Sequence, residues 1–100
     1  MDAACAHWIE RFLTFMEAEK GAADHTIRQY SVDLNQFLAW MEEEKLADFA
    51  SVSYGNIRAF LAGLHVQEYA RTSVARKLSA LRSLYRYLVR ERVVSTNPLE

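Results

Sequence analysis

The chain has 100 residues, of which 51% are hydrophobic and 25% charged, with a formal net charge of −1. This length allows one small domain, and the composition is that of a folded globular protein, which excludes a disordered tail. No apolar run approaches the ~20 residues that cross a bilayer, so neither a membrane-spanning helix nor a membrane partner is expected. The N-terminus lacks the features of a signal peptide, and the single Cys5 cannot close an intramolecular disulfide. A cytoplasmic location is therefore expected.

Charge is divided unevenly along the chain. Residues 1–68 hold 5 basic and 11 acidic side chains, a net of −6, whereas residues 69–100 hold 7 basic and 2 acidic side chains, a net of +5. All seven of these basic residues lie in "RTSVARKLSALRSLYRYLVRER", residues 71–92. Such a division indicates contact with a polyanion, although a basic helix that merely keeps the domain soluble explains it equally well.

Helical periodicity runs through the whole chain, which contains only three glycines and one proline. Asp2, Asp24 and Ser53 are expected to cap helix starts, Gly21 to stop the first helix, and Pro98 to prevent continuation of the last. The predicted helices are Asp2 to about Glu19, Asp24 to about Lys45, one that opens at Ser53, and one from Thr72 or Ser73 to a point before Asn97-Pro98.

Each predicted helix carries a stripe of apolar residues. The stripes are Trp8, Phe12, Phe15 and Met16; Ile27, Tyr30, Leu34, Phe37, Leu38 and Met41; Ile57, Phe60, Leu61 and Leu64; and Val74, Leu78, Leu81, Leu84, Tyr85 and Leu88. Stripes of this kind usually pack a core and seldom form a cofactor site. The predicted fold class is therefore all-α, a four-helix bundle without a cofactor, and the apolar connection 46–52 is expected to lie on its core.

The opposite face of the fourth helix alternates arginine with small hydroxyl residues. It comprises Thr72, Arg76, Ser79, Ser83, Arg86 and Arg90. It lacks the glutamates at i, i+4 spacing that usually neutralise a basic helix. Arginine pairs with phosphates or guanine edges, hydroxyl groups donate to phosphate oxygens, and the helix N-terminus offers free N–H groups. This face therefore favours double-stranded DNA as the partner.

The start of the second helix adds further polar residues. Thr26 is placed to touch a phosphate, and Arg28 and Gln29 to reach base edges. A solvated helix start explains these three residues at least as well, and from the residues alone it is the favoured interpretation.

Two segments resemble motifs of the tyrosine recombinases, especially the Xer-type members. "DHTIRQYSVDLNQFLAWM" matches through Thr26, Tyr30, Asp33, Leu34 and Phe37, with Asp24 where a serine-like residue is usual. "TSVARKLSALRSLYRYLVRERVVSTNPLE" matches through Arg76, Leu78, Ser79, Ala80, Leu81, Arg82, Tyr85, Tyr87, Leu88, Asn97 and Pro98. The resemblance spans about residues 5–98 and covers only the N-terminal part of such proteins.

The resemblance implies a SAM-like core-binding domain over residues 1–96, with residues 97–100 beginning a linker to a catalytic domain. In this family the bundle closes one side of a C-shaped clamp, and its second and fourth helices face the DNA. The DNA-binding residues so implied are Thr26, Arg28, Gln29, Arg71, Thr72, Ser73, Arg76, Lys77, Ser79, Ala80, Arg82 and Ser83. The outer face of the first helix is implied to contact other recombinase protomers in a synaptic tetramer.

The resemblance places the catalytic residues of such proteins in the second domain. No catalytic, cofactor-binding or metal-binding residue and no small-molecule substrate are therefore expected here, although the whole protein is expected to cleave and rejoin DNA. Independent catalysis is disfavoured, because Cys5 and His7 are two residues apart in a frayed helix start and do not face each other. The three histidines, His7, His25 and His65, lack metal-binding spacing, and Glu42-Glu43-Glu44 is interpreted as a solvated helix end. The stronger alternative is a protein-interaction bundle that uses its acidic first half or Trp8 and Trp40.

Overall fold

The computed structural model describes the backbone of residues 3–100 and the side chains of residues 4–100, and over these residues it is all-helical. The helices are α1 (Ala3–Lys20), α2 (Asp24–Glu43), a short 3₁₀ helix η1 (Phe49–Ser51), α3 (Tyr54–Val66) and α4 (Arg71–Arg90). The predicted all-α fold with four helices is confirmed, whereas the predicted cap at Asp2 lies outside the described residues. Between residues 3 and 100, no helix has the length and apolarity of a membrane span.

The helix starts differ in how their N–H groups are bonded. The prediction for α3 is confirmed: Ser53 Oγ accepts a hydrogen bond from Asn56 N at 3.1 Å, and Asn56 Oδ1 accepts one from Ser53 N at 2.8 Å, which is a capping box. The prediction for α2 is wrong, because its N-cap is Ala23, with no side-chain bond, and Asp24 is already helical. Asp24 still lies in the first turn, where the helix dipole favours a carboxylate.

All four helices are followed by a residue with left-handed backbone geometry. These residues are Gly21, Lys45, Glu68 and Arg92, with φ of 62°, 59°, 63° and 61°. After α2, α3 and α4, the residue that follows the left-handed one donates its N–H to the carbonyl oxygen five residues earlier, at 2.9, 3.2 and 2.9 Å. This is the Schellman motif, in which glycine is usual. Gly21 is the predicted stop, whereas the other three positions carry side chains at some cost.

The core lies between α1, α2, α3 and α4, and the predicted stripes of α2 and α3 line it, with the exception of the half-buried Ile27. In α1 the most buried residues are Cys5, Ile9 and Phe12. The predicted stripe of α1 is therefore partly wrong, since Trp8, Phe15 and Met16 are only half-buried at its edge. Cys5 is not part of a frayed helix start, because it lies inside α1 at 2% exposure.

Helix α4 is rotated relative to the sequence prediction. Its buried face is centred on Lys77, Leu84 and Leu88, and Val74 and Leu78 of the predicted stripe are only half-buried. At about 100° per residue, the observed buried face is rotated about the helix axis by roughly 50° from the predicted one. This rotation buries Tyr87, whose ring centroid lies 6.3, 5.6 and 5.0 Å from those of Trp8, Phe12 and Phe15. Aromatic packing against α1 thus sets the rotation, which apolar spacing within α4 alone does not reveal.

The connection 46–52 lies on the core as predicted. Phe49 and Val52 are buried, and Tyr85 Oη donates a hydrogen bond to the carbonyl oxygen of Phe49 at 2.8 Å. The residues after α4 also pack on the domain, because Val94 is buried and Leu99 contacts the core. The predicted boundary between residues 96 and 97 stays a prediction.

Candidate nucleic-acid interface

The buried carboxylate of Asp33 joins α2 to α4. Its Oδ2 accepts a hydrogen bond from Arg76 Nε at 2.9 Å, and its Oδ1 accepts bonds from Arg76 Nη2 at 3.0 Å and from Lys77 Nζ at 2.9 Å. Asp33 is 2% exposed and Lys77 4%, whereas the side chain of Arg76 is 36% exposed. One carboxylate therefore binds two cations, one inside the domain and one at its surface. We call these three residues the Asp33 cluster.

The charge of the Asp33 cluster follows from its contacts. Burial by itself raises the pKa of the Asp33 carboxyl, but the hydrogen bonds from Arg76 and Lys77, together with their charges, bring this pKa below its ordinary value. The bond to Asp33 in turn raises the pKa of Arg76. The carboxylate is ionised at neutral pH, and a cluster of one anion and two cations keeps a net positive charge.

Tyr69, just before α4, covers the cluster. Lys77 Nζ lies 5.1 Å from the centroid of the Tyr69 ring, a cation–π contact, and Gln36 Nε2 donates a hydrogen bond to Tyr69 Oη at 2.9 Å. Gln36 follows Asp33 along α2, while Tyr69 precedes Arg76. The two helices therefore run in opposite directions through this contact.

One side of α4 is open to solvent. The residues that we call the outward face of α4 are Thr72, Ala75, Ser79, Arg82 and Arg86, all exposed. Within residues 3–100, no carboxylate lies at ion-pair distance from Arg82 or Arg86. Arginines with small neighbours are thus presented without a neutralising partner, and the side chains between them leave room for a close approach of another molecule.

Arg90, at the end of α4, is bound differently. Its guanidinium lies 3.5 Å from carboxylate oxygens of Glu19 and Glu91 and stacks over the Phe15 ring, 4.6 Å from the centroid. Together with Arg86 it borders a groove of about 390 Å³ between α1 and α4, with Phe15 and Tyr87 among its lining residues. The charge of Arg90 is therefore partly offset by Glu19 of α1, whereas Arg82 makes no ion pair within the described residues.

Most of the α4 residues implied to bind DNA are accessible. Arg71, Thr72, Ser79 and Arg82 are exposed, and Ser73, Arg76 and Ser83 are half-buried. Lys77 and Ala80 are corrections: they are 4% and 0% exposed, because the rotation of α4 turns them into the domain. Lys77 bonds to Asp33, and Ala80 packs in the core, so neither presents a surface to a duplex.

The three implied residues of α2 do not form one patch. Arg28 is exposed, whereas Thr26 and Gln29 are half-buried. Successive helical residues are about 100° apart, so Thr26 and Gln29 both lie on the flank that carries Asp33, and Arg28 points away from it. Of the three, Thr26 and Gln29 are thus on the α4 side of the helix.

The starts of α2 and α4 share a feature. Their N-caps, Ala23 and Ala70, make no side-chain hydrogen bond, whereas α3 and η1 are capped by Ser53 and Asp48. Ala23 and Ala70 are exposed. Uncapped N–H groups at an exposed helix start attract anions.

Sequence reasoning matched Asp33 to a motif but missed its function, and it misassigned Lys77. A signal was present, since Lys77, Leu84 and Leu88 share one face of α4 at spacings of seven and four residues. Asp33 likewise borders the apolar stripe of α2 beside Leu34 and Phe37. A single acid on one apolar face and a single base on another indicate a buried ion pair, because an unpaired buried charge is costly.

Similarity to known proteins extends over most of the chain. Residues 9–92 match the model of the phage integrase N-terminal SAM-like domain. The chain belongs to this family. It is similar to tyrosine recombinases XerC from Halalkalibacterium halodurans (47% identical), Oceanobacillus iheyensis (42%) and Anoxybacillus flavithermus (40%). These matches cover 91%, 91% and 87% of the chain and 30%, 30% and 29% of the relatives. The chain thus spans about 30% of their length and is a Xer-like tyrosine recombinase N-terminal domain.

Proposed function

We propose that this chain is the DNA-binding domain of a site-specific tyrosine recombinase and clamps the duplex at the core recombination site through α2 and α4. The observation that carries the proposal is the outward face of α4, where Arg82 and Arg86 lie among small residues without a carboxylate partner. Arginine forks suit phosphates and guanine edges, and Thr72 and Ser79 suit phosphate oxygens.

Helix α2 contributes from its first turns. Arg28 is exposed and adds charge, and Thr26 and Gln29 add hydrogen-bonding groups at half-buried positions. The uncapped starts of α2 and α4 supply N–H groups for phosphates. Because the two helices run in opposite directions through the Asp33 cluster, these starts lie toward opposite ends of their contact.

The function of the whole protein follows from its relatives and is likewise a proposal. The relatives are named as tyrosine recombinases, and we infer DNA strand cleavage and rejoining by residues outside this chain. Other recombinase protomers are proposed partners, and the groove between α1 and α4, with an apolar floor and cationic rim, is a suitable surface for such a contact. The cytoplasmic location stays a prediction.

The proposal is tested by replacing Arg82 with alanine. Arg82→Ala should weaken binding to a mixed-sequence duplex, because it removes an unpaired cation from the outward face. The slope of log affinity against log salt should fall by about 0.9, the value for one lost phosphate contact. Fluorescence anisotropy from about 50 to about 200 mM salt measures both quantities. The unfolding temperature should not change, since Arg82 makes no ion pair within the described chain.

Arg58→Ala is the matched control. Arg58 is an exposed arginine on α3 that lies over the Tyr54 ring at 5.9 Å and makes no ion pair within the described residues. It should bind DNA as the parent does. If Arg82→Ala also binds as the parent does, the outward face of α4 is not the DNA interface. If the parent itself shows no binding at low salt, a protein-interaction bundle becomes the better reading of the domain.

A further inference from the structure

Among the implied DNA contacts of α4 that stay accessible, Arg76 has a side chain that is already bonded inside the domain. Two of its N–H groups, on Nε and Nη2, bind both oxygens of Asp33 at 2.9 and 3.0 Å. The remaining donors, on Nη1 and the far side of Nη2, are on the outer edge of the guanidinium. With the side chain 36% exposed, that edge is within reach of a ligand.

The second cation of the Asp33 cluster, Lys77, determines how much of the positive charge of Arg76 remains when Arg76 is paired with Asp33. Lys77 Nζ binds Oδ1 of the same carboxylate at 2.9 Å and is buried. The negative charge of Asp33 is therefore offset from inside the domain by Lys77. The positive charge of Arg76 remains in net terms, and it lies at the surface.

Holding an arginine in this manner favours binding. A free arginine loses side-chain freedom when it engages a phosphate, and that loss reduces affinity. The two bonds from Asp33 fix the guanidinium plane beforehand. They also attach α4 to α2 at the contact between the two helices proposed to face the duplex.

We propose that Asp33 is a positioning residue for DNA recognition, which fixes Arg76 so that its outer donors meet a phosphate of the duplex. This inference rests on the proposed function. Simple electrostatics predicts the opposite effect on DNA affinity, because removing a carboxylate beside a DNA-binding surface ordinarily strengthens binding to a polyanion. The sign of the effect is therefore diagnostic.

The experiment is a double-mutant cycle in a Lys77→Met background. Lys77→Met removes the buried ammonium that would otherwise lose its partner, and its thioether side chain fills similar space. It leaves Asp33 and Arg76 as a neutral pair, so that charge alone predicts tighter binding when Asp33→Asn is added, and only the loss of positioning predicts weaker binding. In that background Asp33→Asn, Arg76→Ala and the combination are compared by anisotropy on the mixed-sequence duplex at about 50 mM salt. Circular dichroism sets a temperature at which every variant is folded.

Asp33→Asn should weaken binding about five- to tenfold, the cost of ordering one long side chain on binding, although it makes the domain more positive. Arg76→Ala should weaken binding at least as much and lower the salt slope by about 0.9. Adding Asp33→Asn to Arg76→Ala should weaken binding no further, because the residue that Asp33 positions is already absent. The matched control is Asp24→Asn, which removes an exposed carboxylate from the same helix and should leave affinity equal or increase it.

The outcomes separate the two proposals. If Asp33→Asn binds equally or more tightly than its background, or weakens binding just as much when Arg76 is absent, Asp33 does not act through Arg76 and this inference is wrong. The proposed function then stands, provided that the parent binds and Arg82→Ala does not bind equally well. If the parent fails to bind at low salt, both proposals are overturned.

Discussion

The two halves of α4 are attached to the domain by different means. In the N-terminal half, Arg76 and Lys77 bind the carboxylate of Asp33 on α2. In the C-terminal half, Tyr87 packs among aromatic rings of α1, and Leu84 and Leu88 are fully buried. Polar contacts hold one half, and aromatic and aliphatic packing holds the other.

The difference shows how a basic helix can be packed without losing its charge. The packing of Tyr87 and the leucines involves neither Arg82 nor Arg86, and within the described residues both stay without an ion pair above the C-terminal half. Where a carboxylate is used, a buried lysine compensates it, and Arg76 is left in net excess. Both arrangements keep positive charge on the outward side of α4, and they differ in the contribution each half makes to stability.

The largest expected effect is on the polar half. Asp33→Ala leaves Lys77 buried without its carboxylate, and the free energy of unfolding should fall by about 4 kcal/mol. Urea denaturation measures it. Asp33→Ala combined with Lys77→Met should recover most of the loss, since no buried charge remains. If the single variant is as stable as the parent, the cluster does not hold this half of α4.

The packed half is tested by Leu81→Ala. Leu81 is 1% exposed, and its truncation should lower the free energy of unfolding by about 3 kcal/mol through lost burial and a residual cavity. Val89→Ala, at a position 37% exposed on the same helix, should change it by less than about 0.5 kcal/mol. Equal effects at the two positions, in the same urea experiment, would contradict the packing of Leu81 in the core.

Tyr85 makes the packed half sensitive to alkaline pH. Burial raises the pKa of its phenol above the ordinary value of about 10. Its contribution to stability is therefore complete below pH ~10 and is lost as pH rises further, because only the unfolded chain then ionises readily. Tyr85→Phe should cost about 1 kcal/mol at pH 7, through the lost bond to Phe49, and should flatten the decline in stability above pH ~10.

The matched control is Tyr54→Phe, at a position 61% exposed, which should leave both stability at pH 7 and the alkaline decline unchanged. Urea titrations at neutral pH and above pH ~10 make the measurement. An unaltered alkaline decline in Tyr85→Phe would mean that another group causes it.

The sequence was sufficient for the fold class, the four helices, and most of the stripes of α2 and α3, because helical period and cap residues are local signals. It was insufficient for the rotation of α4. That rotation depends on Tyr87 meeting Trp8, Phe12 and Phe15, residues more than 70 positions away in the chain. The same rotation decides that Lys77 and Ala80 face inward. Helical spacing alone centres the predicted buried face of α4 on its leucines, whereas tertiary packing decides which neighbouring flank of the helix is also buried.

The smallest effect compares the turns at the two ends of α4. Glu68 precedes its polar half and Arg92 follows its packed half, yet both have left-handed backbones, with φ of 63° and 61°. Side chains cost about 1–2 kcal/mol in this region, and glycine avoids that cost but loses some in chain entropy. Glu68→Gly and Arg92→Gly should therefore each stabilise the domain by about 0.5–1 kcal/mol.

Alanine at the same two positions is the control, since it removes the side-chain charge but keeps the Cβ, and it should bring no gain. Thermal unfolding of the four variants measures the comparison. If only one of the two glycine variants is more stable than the parent, the two halves of α4 differ in the backbone at their ends as well as in their side-chain contacts. If both variants gain the same stability, the halves differ only in the side chains of Asp33, Lys77 and Tyr87, because the chain enters and leaves α4 through the same turn geometry.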